Sequence, residues 1–505
     1  MSCALSIYTS VARRVAARRF SLSRQRWYQT GYGAADTIYA LSTHPGKSAI
    51  AVVRISGPQT GRALQLLVAP TKKAESAAGR QLRARRAVLA RIVDPSDSSS
   101  TLDTGVCMWF PGPRSYTGED MAELQVHGGT AVVSSVLQAL GRIQGLRLAE
   151  AGEFTRRALY NDKMDLTAVE GVADLINAET EAQRRLAVRQ AQGELGQMYE
   201  RWRGAIVGLM AGMEASIDFG EEENIEDGVV ADVVAAGHEL VQEMRAHLDD
   251  ARRGEIMRSG VSVAIVGPPN SGKSTLLNLL AQRQVAIVSA VAGTTRDIVE
   301  ATLDVGGFPV VVRDTAGLRP TGDAVEAEGV RRALAAAQSA DLRICVVDAS
   351  RLAAGDTAGD VFGGAWRALL RQPHTLVVAN KADLLADVDD ADAWARAHGV
   401  AGAALLSCAT RRGWDALLRR MAAHIRHAWG TADADARCRL PLTRARHRQH
   451  MQRCVDHMTR FLATRDVVLA AEELRAAAAA LGRITGRTGT EDVLDALFSQ
   501  FCIGK

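Results

Sequence analysis

Between Thr37 and Ile55, apolar and mostly β-branched positions fall in two short runs around Pro45-Gly46, and Gly105 to Phe110 repeats the pattern. Two strands around a Pro-Gly loop and a further strand are expected, an α+β beginning. Over 131–143 and 161–217 the apolar positions take helical spacing, as in VVSSVLQAL and LTAVEGVADLINAETEAQRRLAV. After an acidic loop at 221–227 (EEENIED), another helix is predicted to about Met257. From Val261 to about Trp429 strands alternate with helices, the signature of an α/β layer. Helices resume beyond Thr443 and run through Ala480 to the carboxyl end.

The expected fold is therefore multidomain. An α+β amino-terminal domain (36–150) precedes an all-α helical domain in two parts (151–257 and 431–505), split by an inserted α/β domain (258–430). No internal repeat is evident, and the Ala/Asp-rich stretch 385–395 reads as a loop and helix start. With 505 residues, 47% hydrophobic and 23% charged, the composition is that of a globular chain with several cores. No apolar run approaches the ~18–20 residues that cross a bilayer. Seven cysteines, odd in number and never spaced CxxC, give no disulfide framework or zinc site and point to a reducing compartment.

The first 35 residues carry six arginines (Arg13, Arg14, Arg18, Arg19, Arg24, Arg26) and no acid, the composition of an organellar transit peptide. Its import address is read as the mitochondrial matrix ahead of a plastid. Without those six, the net charge of +4 becomes 55 basic residues against 57 acidic ones. Global charge then gives no argument for nucleic-acid binding, which would need a local patch.

The strand VSVAIV (Val261 to Val266) leads into GPPNSGKS (Gly267 to Ser274) and the helical TLLNLLA, a phosphate-binding GxxxxGK[ST] loop in its strand-loop-helix setting. Backbone N–H groups of Asn270, Ser271, Gly272 and Thr275 would face phosphate oxygens, Lys273 would supply charge to the terminal phosphates, and the Ser274 hydroxyl suits magnesium. NKAD (Asn380 to Asp383) follows the strand TLVVA, and the Asp383 carboxylate can accept two hydrogen bonds from guanine where adenine offers no such pair. Asn380 and Lys381 complete that element. Between them, GTTRD (Gly293 to Asp297) offers Thr295 as a second magnesium hydroxyl. DTAG (Asp314, Thr315, Ala316, Gly317) would hold the metal through water and meet the third phosphate. SCAT (Ser407 to Thr410) is a weak match to loops that support guanine, with the Cys408 N–H expected to be available. Together these mark a Ras-like GTPase domain that takes GTP and Mg2+.

The chain resembles the MnmE (TrmE) family of tRNA-modification GTPases from Asp36 to Lys505. The resemblance rests on VRISG (Val53 to Gly57), WFPGPRSYTGEDMAELQVHGG (Trp109 to Gly129), GEFTRRALYNDKMDL (Gly152 to Leu166), the interrupted helical domain and the final FCIGK (Phe501 to Lys505). Leu318 follows DTAG where Ras-like enzymes carry a water-positioning glutamine. The resemblance implies instead a potassium ion held by Asn270, Ser289, Val291 and Thr294, and water orientation by Glu326, the lesser alternative being that Glu326 only opens its helix favourably. Glu326 and Lys273 are thus the expected catalytic pair. The resemblance also implies an amino-terminal domain that dimerises and binds 5-formyl- or methylene-tetrahydrofolate through Arg54, Glu123, Lys163 and Lys505. A carboxylate suits the pterin edge and cations suit the glutamyl tail. Cys502 is either a nucleophile at the one-carbon unit or a buried thiol. The loop HPGKSAIAV (His44 to Val52) departs from the family's glycine-rich pattern.

The implied activity is modification of carbon 5 of the wobble uridine in organellar tRNA, together with an MnmG-like flavoprotein that alone carries FAD. RARHRQH (Arg444 to His450), Arg453 and Arg460 stand at helical spacing as candidate tRNA contacts, or as a solvated helix face. A ribosome-assembly or RNA-binding GTPase switch would share the GTP motifs but lack the folate module and FCIGK. A folate-dependent one-carbon transferase with an acquired GTPase domain would tolerate loss of Lys273.

Overall fold

The structure is a computed structural model that describes residues 36–70, 83–218, 227–250, 252–281, 300–313, 331, 334–357, 360, 368–386, 388, 390–429, 440–487, 494, 497–498, 501 and 503–504. The chain divides into two compact units, 1–165 with 490–505 and 166–489. The first division thus falls after Asp165 rather than after residue 150, and the carboxyl-terminal segment belongs with the amino-terminal unit rather than with the helices before it.

In the first unit, strands β1 (Thr37–Leu41), β2 (Ser48–Ser56), β3 (Val68–Pro70), β4 (Val88–Asp94), β5 (Asp97–Phe110), β6 (Met121–Gly128) and β7 (Leu146–Leu148) form one sheet in the order β3-β4-β5-β6-β2-β1-β7. Helices α1 (Thr60–Leu67) and α2 (Thr130–Gly141) cover one face, burying Val53, Ile55, Ile92, Cys107, Leu124 and Val126 against Leu64, Leu67, Val136 and Leu140. By alternation, Val52, Arg54, Val106 and Met108 take the other face. β5 begins eight residues before Gly105, because its first half (DSSSTLDT) is polar and largely exposed and is held by pairing to β4 instead of by burial.

Helix α3 (Glu153–Tyr160) follows, and the end of the chain returns to it. Phe498 lies against the Gly152 backbone and under the Arg156 guanidinium, 4.9 Å from its ring centre. Ile503 pairs with Ala151, and the Gly504 carbonyl accepts from Ser42 Oγ at 2.9 Å. Gly504 has φ +100°, and a Cβ there would stand 2.2 Å from the Leu41 carbonyl oxygen, so only glycine fits this seat.

The second unit opens with α4 (Leu166–Ile176), α5 (Glu181–Ala191), α6 (Glu194–Asp218), α7 (Asp227–Leu248) and α8 (Arg253–Ser259). The periodic stretch 161–217 is thus several helices. It is broken by a Thr180/Gln183 capping box and by Gly193. A six-stranded sheet follows from β8 (Val261–Val266), β9 (Glu300–Val305), β10 (Phe308–Arg313), β11 (Leu342–Asp348), β12 (Thr375–Asn380) and β13 (Ala404–Leu405), ordered β13-β12-β11-β8-β10-β9. All neighbours are parallel except β9 with β10. Helices α9 (Lys273–Ala281), α10 (Ala349–Ala353), α11 (Ala391–Ala397) and α12 (Trp414–Trp429) belong to this layer, and α13 (Ala445–Ala463) and α14 (Val467–Thr485) return to the helical core around Trp202, Tyr199, Met244, Met458 and Phe461.

Arg444, Arg446, His447 and Arg448 of RARHRQH have structural partners. Arg444 pairs with Asp174 at 2.9 Å, Arg446 with Glu170 at 2.9 Å, buried His447 with Glu170 at 2.7 Å, and Arg448 with Glu255 at 2.9 Å and with Asp250. Arg460 pairs with Glu473. Arg444, Arg446, His447 and Arg448 tie the start of α13 to α4 and to the stretch entering the inserted sheet, where Arg258 Nε also donates to the Thr443 carbonyl, while Arg460 ties α13 to α14. Helix α5 meets the same sheet: Gln183 Nε2 donates to the Arg258 carbonyl at 3.0 Å, and the Ala182 N–H to the Gly307 carbonyl in the β9–β10 turn.

Glu170 is 2% exposed. Burial pushes its carboxyl up, but His447, Arg446 and Arg444 outweigh that and hold it down at about 2. A carboxylate depressed by folding contributes stability that is complete above its ordinary value near 4.5 and is lost as pH falls from there toward 2. Glu170→Ala leaves buried cations uncompensated and is expected to cost about 3–5 kcal/mol. Urea unfolding followed by circular dichroism at pH 7 measures this, and the gap between mutant and parent should narrow below pH 4.

Candidate nucleotide site

The carboxyl ends of the parallel strands β8, β11 and β12 lie side by side, and the loops leaving β8 and β12 frame a cleft of about 500 Å3. Its walls are Asn270, Gly272, Lys273, Ser274 and Thr275 on one side and Asn380, Lys381, Asp383, Leu384, Cys408 and Ala409 on the other. Ligand placement beyond the carboxyl ends of strands is the general habit of such sheets. The loop 267–272 turns inward through Asn270 at φ +62° and ends where α9 begins, so N–H groups of a helix amino terminus open into the cleft.

Asn380 holds the two walls together. Its Nδ2 donates to the Ser271 carbonyl at 2.9 Å, and its Oδ1 accepts the Cys408 N–H at 3.1 Å. The Cys408 N–H, expected to face the base, is therefore committed to this clamp. Burial and the Asp383 charge push the Cys408 thiol up to about 11, so it stays neutral at physiological pH. Lys273 Nζ donates to the Pro268 carbonyl at 2.7 Å, within the loop it follows, and burial lowers its pKa. The Ser271 hydroxyl is buried and has no hydrogen-bond partner among the described residues. Ser407 Oγ donates to Asp383 Oδ1 at 2.6 Å, which orients the exposed carboxylate.

One lining position, Leu384, and one supporting residue, Asp348, lie outside the sequence motifs. Asp348 closes the apolar strand LRICVVD and meets Lys381 Nζ at 2.6 Å. An acid ending a buried strand was the available signal. Ser289, Val291, Thr294, Thr295, Asp314, Thr315, Ala316, Gly317, Glu326, Cys502 and Lys505 lie outside the described residues, as does the arginine-rich 1–35 segment.

In the other unit, Arg54 on β2 and Glu123 on β6 are direct cross-strand partners, paired at 2.9 Å and each 17% exposed. Tyr116 and Phe154 flank the guanidinium, with ring centres at 5.4 and 5.8 Å. Arg54 also reaches the Gly504 carbonyl at 3.5 Å. Lys163 Nζ donates to the Pro113 carbonyl of the β5–β6 loop. An acceptor, a guanidinium and two aromatic rings are thus gathered on one sheet face, a donor set compatible with a flat heteroaromatic ligand.

Gly272 tests the clamp. Its φ is +96°, and a Cβ there would sit 2.1 Å from Asn380 Nδ2. Gly272→Ala is expected to displace the carboxamide and to weaken GDP binding about tenfold or more, the scale of losing hydrogen bonds in a buried site. Fluorescence titration would show this, and an unchanged affinity would contradict the clamp.

Comparison with known proteins extends over both units. Residues 37–163 match the family described as the GTP-binding protein TrmE N-terminus, and residues 166–502 the MnmE helical domain. The chain is 46% identical over 496 residues, 96% of each chain, to the mitochondrial 5-taurinomethyluridine-[tRNA] synthase subunit GTPB3 of Danio rerio. It is 49% identical over 475 residues to the tRNA modification GTPase MnmE of Parvibaculum lavamentivorans, covering 93% of this chain and 100% of that one. The mitochondrial human counterpart of the first relative is 46% identical over 478 residues, 94% of each chain. Matched along nearly its whole length, the chain belongs to the MnmE/TrmE family of tRNA-modification GTPases.

Proposed function

We propose that this protein hydrolyses GTP as the nucleotide-dependent half of a mitochondrial enzyme that modifies carbon 5 of the wobble uridine in tRNA. The observation that carries the reading is the cleft in which a phosphate loop and the NKAD turn are clamped by Asn380, within a chain that matches tRNA-modification GTPases over nearly its whole length. Lys273 would meet the terminal phosphates and Asp383 the guanine edge. Ser274 and Thr295, with Asp314 through water, would hold magnesium, and Asn270, Ser289, Val291 and Thr294 potassium; both cations supply positive charge to the departing phosphates. Ser274 and Asn270 line the cleft, which supports this assignment. Glu326 would orient the attacking water.

Arg54, Glu123, Lys163 and Lys505 would bind a tetrahydrofolate, with Glu123 accepting from the pterin and the cations facing its glutamyl tail. The folate supplies the one-carbon unit. Leu89 and Ile50, each 60% exposed, accompany Val52, Val106 and Met108, and an apolar sheet surface of this kind supports homodimerisation through the amino-terminal unit. FAD would enter only with an MnmG-like partner. The names of the relatives from animals support mitochondrial residence, here assigned to the matrix.

With Leu318 after DTAG, turnover should depend on potassium. Hydrolysis in sodium at equal ionic strength is expected to fall by about tenfold or more, a fraction of the ~10³–10⁵ that an arginine finger contributes. Equal rates in the two salts would remove the cation from the mechanism. Glu326→Ala tests the link between hydrolysis and modification. It should bind GTP normally, turn it over at least ~100-fold more slowly, and leave organellar tRNA without the carbon-5 substituent on nucleoside analysis of cells in which it replaces the parent. Full modification with hydrolysis abolished would reduce GTP to a binding signal.

A further inference from the structure

We infer that Asp348 is a positioning residue for guanine recognition, acting by keeping the Lys381 ammonium away from Asp383. This rests on the reading of Asp383 as the group that meets the base. Lys381 and Asp383 stand two residues apart beside the same cleft, and the two carry opposite charge. An ammonium on a flexible four-carbon stem is a natural partner for an exposed carboxylate close by. A carboxylate satisfied in that way would have lost the acceptor strength that a base needs.

Asp348 removes the competitor. It ends β11 in direct register with Asn380, so the strand ladder itself sets its carboxylate beside the NKAD turn. Its two oxygens have separate duties. Oδ1 accepts from the Ser350 N–H at 3.0 Å and from Ser350 Oγ at 2.6 Å, capping α10 and fixing the rotamer. Oδ2 meets Lys381 Nζ at 2.6 Å. The pair is sheltered, with 13% of the Asp348 side chain and 35% of that of Lys381 exposed. Burial pushes the Asp348 carboxyl up, and the bonds from Lys381 and Ser350 more than offset this, keeping it charged. Lys381 itself lies at φ +66°, a left-handed position that lysine seldom adopts, and its tether to Asp348 helps hold the turn that presents Asp383. With the ammonium anchored, the hydrogen bond to Asp383 among the described residues comes from Ser407 Oγ, on Oδ1.

The residue assignment separates cleanly from a structural role. Asn caps helices as well as Asp does, so Asp348→Asn can keep the Oδ1 bonds to Ser350 while replacing the charged acceptor that faces Lys381 with an amide NH2 group, which cannot hold the ammonium. The readout is the ratio of GDP to IDP affinity, measured by calorimetry on the whole protein at fixed magnesium. Inosine lacks the 2-amino group, and the ratio therefore reports how fully Asp383 engages the base. The parent should prefer GDP by about tenfold or more, the size of one hydrogen bond to a charged acceptor. Asp348→Asn should compress the ratio to within about threefold, chiefly by weakening GDP. Adding Lys381→Met keeps the stem, deletes the ammonium, and should restore the discrimination. An unchanged ratio in Asp348→Asn, or a compressed ratio that Lys381→Met fails to restore, overturns the inference. A parent that binds GDP and IDP alike overturns the guanine reading of Asp383 itself, and that result is visible before any substitution is made.

Discussion

The nucleotide cleft depends on one buried carboxamide. Asn380 is 3% exposed, and it bridges a carbonyl of the phosphate loop and an N–H of the 407–410 loop, segments more than a hundred residues apart in sequence. Backbone groups at the ends of parallel strands have no ladder partner, and a buried one left unpaired is costly. Asn380 meets two such needs at once and thereby fixes the width of the cleft. The tight approach of Gly272 beneath it follows from the same geometry. Lys273, Ser274, Asp383 and Ser407 take their places around a frame that this side chain closes.

The charge pattern is explained by the interior as much as by any ligand. RARHRQH reads along the sequence as a basic helix face, yet its arginines and His447 meet acids contributed by α4 and α8 and by Asp250. Buried ions of this kind are poor evidence of net stabilisation, but removing a single partner is severe. Their effect is to fix how α13 sits against α4 and the stretch leading into β8. Sequence could not reveal this, because Glu170 lies 277 positions from His447 and no local spacing links them.

The motifs were legible because phosphate and base recognition impose residue types at short spacing: glycines where backbone must approach, a lysine, an acid after Asn-Lys. The alternation of strands and helices after Val261 was legible for a similar reason, since each buried parallel strand is a continuous apolar run. What sequence left hidden was non-local. The polar half of β5 carries no hydrophobic alternation and exists through pairing to β4. The return of Phe498 and Gly504 to the amino-terminal unit is a contact across more than three hundred residues. The commitment of the Cys408 N–H to Asn380, and of Arg54 to Glu123, appears only when strands are laid in register.

The β9–β10 turn bears on how the inserted sheet and the helices communicate. GTTRD lies just before β9 and DTAG just after β10 in sequence, so this hairpin joins the two segments proposed to meet magnesium and the third phosphate. Its far end gives the Gly307 carbonyl to the first turn of α5, supplying an acceptor that a helix amino terminus otherwise takes from a side chain or water. A cap is worth about 1 kcal/mol, roughly a fivefold bias between two arrangements. Such a bias is reciprocal. A strain that tilted the hairpin and broke this bond would loosen the start of α5, and a load that steadied α5 would resist the tilt, although no α5 residue lines the nucleotide cleft.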